Sequence, residues 1–217
     1  MPTDGSRVSS LDRKLGRAVE FASATHNGQV RKSTTVPYIA HLLGVASLVL
    51  EGGGTQTEAI AALLHDVVED TDVNPRKLRK RFGRKVTRIV LACSDVPAKK
   101  SKRAKAKRDA STWRERKLRS LDHLSDPGTS KSVLRVRAAD ALYNARATVA
   151  DLRRFGPETW ERFNAGAIDQ LWYYRSLSVV LSARLPGMLT DELRVTVRAM
   201  EQLAGWWFDI GDPQSSV

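Results

Sequence analysis

Apolar residues recur at three- and four-residue spacing along most of the chain, and the strict alternation typical of strands is scarce. This pattern predicts an all-α protein, a helical bundle of about eight to ten helices. The predicted helices cover residues 11–26, 37–50, a segment from 55, a short segment from 75, and residues 85–92, 113–125, 130–155, 167–183 and 190–208.

Several residues mark where these helices begin and end. Thr55 and Glu58 have the spacing of a capping box, in which each side chain accepts a backbone N–H of the other residue. Pro37 suits a first helical turn, where a missing N–H removes no hydrogen bond. Gly83 separates two short helices, and the segment 27–36, which has little apolar content, is predicted to be a loop.

The length of the chain, 217 residues, suits one domain with its own core. We expect that domain to cover residues 11–210, with flexible ends at 1–10 and 211–217 and a mobile basic loop at 97–110. The sequence does not fix the oligomeric state, and a homodimer is compatible with it.

Three features of the sequence predict a cytoplasmic protein. The longest uninterrupted apolar run, residues 59–64, is too short to cross a membrane, and residues 1–10 lack the apolar stretch of a secretory signal. The single cysteine, Cys93, cannot form an intramolecular disulfide, which suits a reducing compartment. We therefore expect no membrane partner.

Positive charge is concentrated in one part of the sequence. The chain carries 36 Lys and Arg against 24 Asp and Glu, a net charge of +12. Residues 97–119 contain six Lys and five Arg against two acidic residues, a local excess of +9. Such a segment attracts phosphate in a nucleotide, a nucleic acid or an anionic surface. Arg116 and Lys117 are candidate phosphate contacts, because Trp113 is expected to anchor their helix.

A cluster of titratable residues ends an otherwise apolar predicted helix. At about 100° per residue, Glu69 lies below His65, Asp70 lies below Asp66, and all four side chains project within an arc of roughly 140°. Burying such groups without a partner is costly, so they need a cation or a solvated cleft. A divalent metal, with imidazole and carboxylate ligands, supplies that cation.

Two polar residues elsewhere stand where the helical pattern expects a core residue. His41 lies in the apolar run 38–43, and Asp140 lies in the run 136–142. Together with His65 and Asp66 they would bind one ion and leave positions open for water and a phosphate oxygen. Glu69 and Asp70 could then orient that water or move its proton.

These residues, taken with their neighbours, resemble the HD superfamily of metal-dependent phosphohydrolases, and within it the (p)ppGpp hydrolase domain of the RelA/SpoT family. The motifs that carry the resemblance are Phe21-Ala22, His26-Asn27-Gly28-Gln29, Arg31-Lys32-Ser33, Pro37-Tyr38-Ile39-Ala40-His41, Ala62-Leu63-Leu64-His65-Asp66-Val67-Val68-Glu69-Asp70-Thr71, Phe82-Gly83 and Ala139-Asp140-Ala141-Leu142-Tyr143-Asn144-Ala145-Arg146. The rest of the chain is similar to the stand-alone small alarmone hydrolases of bacteria.

The resemblance implies an HD-domain helical bundle, one bound manganese ion and a guanine nucleotide alarmone as substrate. The implied metal ligands are His41, His65, Asp66 and Asp140. Glu69 and Asp70 would serve the hydrolytic water. The implied substrate contacts are Arg31, Lys32 and Ser33 at the base and Asn144 near the nucleoside. The reaction would remove the 3′-pyrophosphate of ppGpp or pppGpp to give GDP or GTP.

Two departures from the family pattern affect the base pocket, and two other functions stay open. The loop reads Thr34-Thr35-Val36 where the family carries a glycine, and Ala147 replaces a threonine. The same site could act on another phosphorylated nucleotide, such as NADPH or (p)ppApp. In the third hypothesis the chain is a basic nucleic-acid-binding module with a structural metal, although no known nucleic-acid motif is present.

Overall fold

The computed structural model describes residues 11–94 and 112–210, with side chains as far as residue 205. Within these ranges the chain is helical and contains no β-strand, which confirms the predicted all-α class. The elements are α1 (Arg13–Thr25), α2 (Ile39–Glu51), α3 (Gln56–Leu63), α4 (Val67–Asp70), α5 (Pro75–Cys93), α6 (Trp113–Ser125), α7 (Lys131–Phe155), a 3-10 segment (Gly156–Arg162), α8 (Ala167–Arg184) and α9 (Met188–Ile210).

Helix α7 is the centre of the bundle. It contacts α2, α3, α5, α8, α9 and the 3-10 segment. Leu134, Leu142 and Leu152 on this helix are fully buried. Helices that surround a central one bury their apolar faces against it, so α7 can bring Asp140 and Asn144 next to residues that lie far away in the sequence.

The predicted end signals act as expected at two positions. Thr55 accepts the backbone N–H of Glu58, and Glu58 accepts the backbone N–H of Thr55 at 2.6 Å, which forms the capping box at the start of α3. Gly83 has φ 89° and ψ 174°, and this non-helical conformation kinks α5 in its middle. A positive φ of this kind favours glycine.

The prediction of one continuous helix through His65 and Asp66 is wrong. Helix α3 ends at Leu63, a tight turn holds His65 and Asp66, and α4 begins only at Val67. The imidazole of His65 and the carboxylate of Asp66 therefore lie in a turn and not on the face of a helix.

Side-chain and short-range backbone hydrogen bonds explain this break. Nδ1 of His65 lies 2.7 Å from the Ala62 carbonyl oxygen and donates to it. The N–H of Val67 bonds the Leu64 carbonyl three residues back, at 3.1 Å, in place of the carbonyl four residues back. The N–H of Asp70 bonds the Asp66 carbonyl four residues back, at 2.8 Å, so Asp70 does lie one turn below Asp66. Glu69 lines a cleft, whereas Asp70 is exposed and does not line it.

Some predictions fall on other parts of the chain. The expected ends at 1–10 and 211–217 and the whole basic segment 97–110 lie outside the described residues. The single-domain boundary at 11–210 stays a prediction. Among the described helices, none combines the length and the apolar content that crossing a bilayer requires.

Candidate metal centre and substrate cleft

Three separate parts of the fold bring the four predicted ligands together. His41 comes from the first turn of α2, His65 and Asp66 come from the turn after α3, and Asp140 comes from the middle of α7. Both histidines are buried, and each is only 3% exposed. The helix pairs α2–α3 and α2–α7 pack directly against each other, so these side chains are fixed by the core.

The ligand atoms converge on one point. Oδ2 of Asp66 lies 3.0 Å from Nε2 of His65 and 3.8 Å from Nε2 of His41. Oδ1 of Asp140 lies 3.5 Å from Nε2 of His41 and 3.7 Å from Nε2 of His65. Each imidazole therefore presents its Nε2 atom to two carboxylates.

The tautomer of His65 is determined by its other ring nitrogen. The Ala62 carbonyl, 2.7 Å from Nδ1, can only accept a hydrogen bond, so Nδ1 carries the proton. In the neutral ring Nε2 then has a free lone pair directed at the cluster. A backbone carbonyl that holds the outer nitrogen in this way is typical of metal-binding histidines.

The negative charges in the cluster favour a bound cation. Burial by itself lowers the pKa of His65, but Asp66 and Asp140 outweigh it and raise that pKa well above its ordinary value. Burial is the largest influence on His41 and lowers its pKa to about 4, although Asp140 acts in the opposite direction. Burial raises the pKa of Asp66, yet His65 outweighs this and brings it down to about 2.

The donor set fits a divalent metal ion. The ligand atoms of His41, His65 and Asp66 all lie within 4.8 Å of one another, and Asp140 faces both imidazoles. Imidazole nitrogen and carboxylate oxygen are donors that divalent transition metals bind. The two carboxylates stay ionised and favour a protonated His65. A bound cation would take the place of that proton between the imidazole and the carboxylates. The described residues thus contain a site suited to a divalent metal.

Hydrogen bonds from a second layer of residues orient the two carboxylates. The Tyr38 hydroxyl donates to Oδ2 of Asp66 at 2.5 Å. Nδ2 of Asn144 donates to Oδ1 of Asp140 at 2.7 Å, and Nη1 of Arg137 donates to Oδ2 of Asp140 at 3.3 Å. Each carboxylate is therefore held in place before any ion binds.

The cluster opens into a cleft of about 600 Å³. Glu69 lines this cleft together with Asp66, whereas Asp70 lies outside the lining and is exposed. The residues predicted to contact substrate that line the same cleft are Arg31, Lys32, Lys117 and Asn144. A volume of this size lies in the range of small-molecule sites.

The loop after α1 places Arg31 over the cleft. Val30 and Pro37 form an antiparallel bridge, which closes the loop at its base. Nη2 of Arg31 donates to Oδ1 of Asn144 at 3.2 Å, and its guanidinium lies 5.0 Å from the centre of the Tyr143 ring. Ser33 has a φ of 58°, the left-handed conformation that turns the tip of the loop.

Lys32 joins the same loop to the far wall of the cleft. Its Nζ donates to Oδ1 of Asn164 at 2.8 Å, just after the 3-10 segment. Lys117 on α6 lies with its Nζ 4.6 Å from the centre of the Tyr173 ring. Arg116 is half-buried and falls outside the described lining of the cleft.

Two residues with evident roles in the site were not singled out from the sequence. Arg137 precedes Asp140 by three residues, a spacing that places both on one face of a helix, so helical geometry could have found it. Tyr38 stands 28 residues before Asp66, and no local pattern relates them. Cys93 also lines the cleft, but burial raises the pKa of its thiol to about 12 and keeps it protonated.

An all-helical bundle with a buried histidine–aspartate cluster at the base of a nucleotide-sized cleft defines a metal-site protein of the HD type. The profile described as "HD domain" matches residues 18–164. The chain belongs to the HD domain family.

Relatives with an assigned activity cover most of the chain. A Xenopus tropicalis protein named guanosine-3′,5′-bis(diphosphate) 3′-pyrophosphohydrolase MESH1 is 33% identical over 183 residues, which are 81% of this chain and 92% of that protein. The Danio rerio protein of the same name is 39% identical over 67% of this chain and 73% of its own length. The chain is thus a homologue of MESH1-type proteins.

Solved structures show the same fold. One, described as a metazoan ortholog of SpoT that hydrolyses ppGpp, aligns with a TM-score of 0.59 at 24% identity over 94% of this chain and 98% of its own. Another, lmo0812 from Listeria monocytogenes EGD-e, aligns with a TM-score of 0.62 at 23% identity over 75% of this chain and 99% of its own.

Proposed function

We propose that this protein is a metal-dependent hydrolase that removes the 3′-pyrophosphate of ppGpp and pppGpp, giving GDP or GTP and pyrophosphate. One observation carries the proposal: the histidine–aspartate cluster and the cationic loop with Arg31 meet in a single cleft of about 600 Å³. The frog and zebrafish relatives are named for this reaction, which supports the same substrate here.

Arg31, Lys32 and Ser33 are proposed to bind the guanosine end of the substrate. Arg31 is held by Asn144 and by the ring of Tyr143, so its position is fixed before substrate binds. A group that is already ordered loses little conformational freedom on binding. Asn144 contacts both Arg31 and Asp140, and it therefore sets the distance between the nucleoside pocket and the metal ligands.

The phosphates of the substrate are proposed to extend from this pocket toward the cluster. Lys117 lines the cleft and offers a positive charge to them. Arg116, on the same helix, lies outside the described lining, so it is proposed only as a secondary contact. The compact ammonium charge of Lys117 can bind phosphate from several directions.

His41, His65, Asp66 and Asp140 are the proposed ligands of the ion, and manganese is the ion that the family resemblance favours. When bound, a divalent cation would neutralise phosphate charge and make a nearby water more acidic. Glu69 lines the cleft beside Asp66, which supports a role for its carboxylate in accepting the proton of the attacking water. Asp70 is proposed to assist Glu69 from the exposed side of α4.

Product analysis of the purified protein tests this proposal. With manganese, ppGpp should yield GDP and pyrophosphate, and Glu69→Gln should lower kcat by at least about a hundredfold. Glu161→Gln, an exposed change on the 3-10 segment, is the matched control and should leave kcat unaltered. Absence of pyrophosphate release by the manganese-loaded protein would rule out this substrate.

Kinetic assays with other nucleotides and an RNA-binding assay separate the alternatives. A much larger kcat/KM for (p)ppApp or NADPH would assign the cleft to another phosphorylated nucleotide. Salt-sensitive RNA binding without any hydrolysis would instead support a nucleic-acid-binding module. A cytoplasmic location is proposed together with the function, because the substrate is a soluble nucleotide.

A further inference from the structure

A second concave site lies outside the catalytic cleft, between α1, α3 and α5. Its cavity of about 250 Å³ is lined by Lys14, Arg17, Ile60, Arg81, Phe82 and Gly83. None of these residues lines the cleft that contains the metal cluster. Three of the six are cations and none is acidic, so the lining itself carries a charge of +3.

The surroundings of this pocket add to its positive charge. Helix α5 contains eight Lys and Arg and no Asp or Glu between Pro75 and Cys93. All eight of these cations are exposed, and among the ion pairs of the described residues none uses a cation from α5. Asp12, the N-cap of α1, is a nearby carboxylate that accepts the backbone N–H of Lys14 at 2.6 Å and also interacts electrostatically with the charges of Lys14 and Arg17.

An aromatic pair orders part of the pocket. The rings of Phe21 and Phe82 pack edge to face with centroids 5.3 Å apart. The guanidinium of Arg81 lies 4.8 Å from the centre of the Phe21 ring, and Nζ of Lys77 lies 6.0 Å from it. Cation–π contacts of this kind hold the charged groups near the pocket while leaving their hydrogen-bond donors available.

The backbone at Gly83 adds another feature that attracts anions. Its φ of 89° interrupts α5, so a new helical segment starts at the edge of the pocket. The first N–H groups of a helix lack acceptors within the helix, and the helix dipole favours negative charge there. This effect adds to the charges of Lys14, Arg17 and Arg81.

We infer that this pocket is a second, non-catalytic site that binds a nucleoside di- or triphosphate. Lys14, Arg17 and Arg81 would contact the phosphates, and Phe82 with Ile60 would pack against the ring of the base. The lining offers no hydrogen-bonding side chain other than the three cations. The site therefore distinguishes nucleotides by phosphate charge and is indifferent to the identity of the base.

Equilibrium titration with GTP and ATP tests this inference. The starting protein should carry Arg31→Ala and Lys32→Ala, so that nucleotide binding in the catalytic cleft is weakened. Adding Arg17→Ala and Arg81→Ala should then weaken the remaining GTP site by at least about tenfold, because two charge-assisted contacts are lost. Arg79→Ala with Arg88→Ala is the matched control: it removes the same charge from exposed positions outside the pocket, and should change affinity less than about twofold.

Three results together support the inference. GTP and ATP should bind within about threefold of each other, and both should bind more tightly than inorganic tripolyphosphate. Their binding should be weakened by the Arg17 and Arg81 substitutions but not by the control substitutions. Equal weakening by the two pairs would overturn it in favour of diffuse surface charge. Tight binding of a short RNA duplex, reduced equally by both pairs, would overturn it in favour of a nucleic-acid surface. Because binding is measured without turnover, failure of ppGpp hydrolysis leaves this test unaffected.

Discussion

The hydroxyl of Tyr38 donates a 2.5 Å hydrogen bond to Oδ2 of Asp66, the same oxygen that lies 3.0 Å from Nε2 of His65. Burial and the neighbouring Asp66 raise the pKa of Tyr38, so it stays a donor at all ordinary pH values. Its ring also stacks on His26 at 5.1 Å, which fixes the direction of the hydroxyl. Tyr38 thus positions a carboxylate of the proposed metal site.

Replacing Tyr38 with phenylalanine is expected to weaken metal binding by about tenfold, because Asp66 loses the contact that orients it. The ring and its packing are kept, so the free energy of unfolding of the metal-free protein should change little. Calorimetric titration with manganese measures the effect. Tyr143→Phe is the control, since within residues 11–94 and 112–205 that hydroxyl donates its one hydrogen bond to the Ala40 carbonyl, at 3.4 Å. An equal loss in both variants would contradict the role given to Tyr38.

Replacing Arg31 with lysine is expected to raise the KM for ppGpp by about tenfold, with a smaller effect on kcat. Lysine keeps the charge but loses the planar contact with Tyr143 and the bond to Asn144. Steady-state kinetics of the purified protein give both constants. The exposed Arg153→Lys serves for comparison, and a fall in kcat without a change in KM would show that Arg31 does not bind the ground-state substrate.

Gly44→Ala is expected to destabilise the protein by about 1–3 kcal/mol, because the new methyl group would overlap the ring of Tyr143. Displacement of that ring should also disturb Arg31 and raise KM. Gly16→Ala on α1 is the matched change: nothing lies within 4 Å of its added methyl group, so stability should hold or rise by up to about 1 kcal/mol. Urea unfolding compares the two variants, and equal stability would refute the predicted overlap.

Glu58 is expected to contribute stability that depends on pH. Burial by itself raises the pKa of its carboxyl, but the backbone N–H of Thr55 and the Arg135 guanidinium, 2.6 Å away, lower it overall. A carboxyl whose pKa is lowered by folding stabilises the protein above its unfolded value, 4.5, and loses that contribution as the pH falls through the folded value.

Glu58→Gln should therefore lower the free energy of unfolding by about 1–3 kcal/mol at neutral pH, where Arg135 loses its charged partner. The difference from the unmodified protein should shrink as the pH falls below the ordinary glutamate value. Urea unfolding at several pH values measures it, with the exposed Glu20→Gln as the control. A difference that stays constant with pH would mean that the charge of Glu58 is not responsible.

The turn at His65 limits what helical periodicity can predict about the site. Spacing alone placed Glu69 and Asp70 together with His65 and Asp66 on one face of a helix. The bond from Nδ1 of His65 to the Ala62 carbonyl ends that helix, and Glu69 alone of the acidic pair reaches the cleft. A side chain that competes for a backbone carbonyl cannot be recognised from apolar spacing.

The sequence by itself determined the all-helical class, the capping box of Thr55 and Glu58, and the choice of the four candidate metal ligands, since each depends on residues a few positions apart or on a polar residue within an apolar run. Tertiary structure alone decided that Tyr38 contacts Asp66, and that Arg31 reaches Asn144 across 113 positions. Only the packing of α1, α3 and α5 formed the basic pocket around Arg17 and Arg81. Helix signals are local because backbone hydrogen bonds span four residues, whereas the position of one helix against another follows from how the whole core packs.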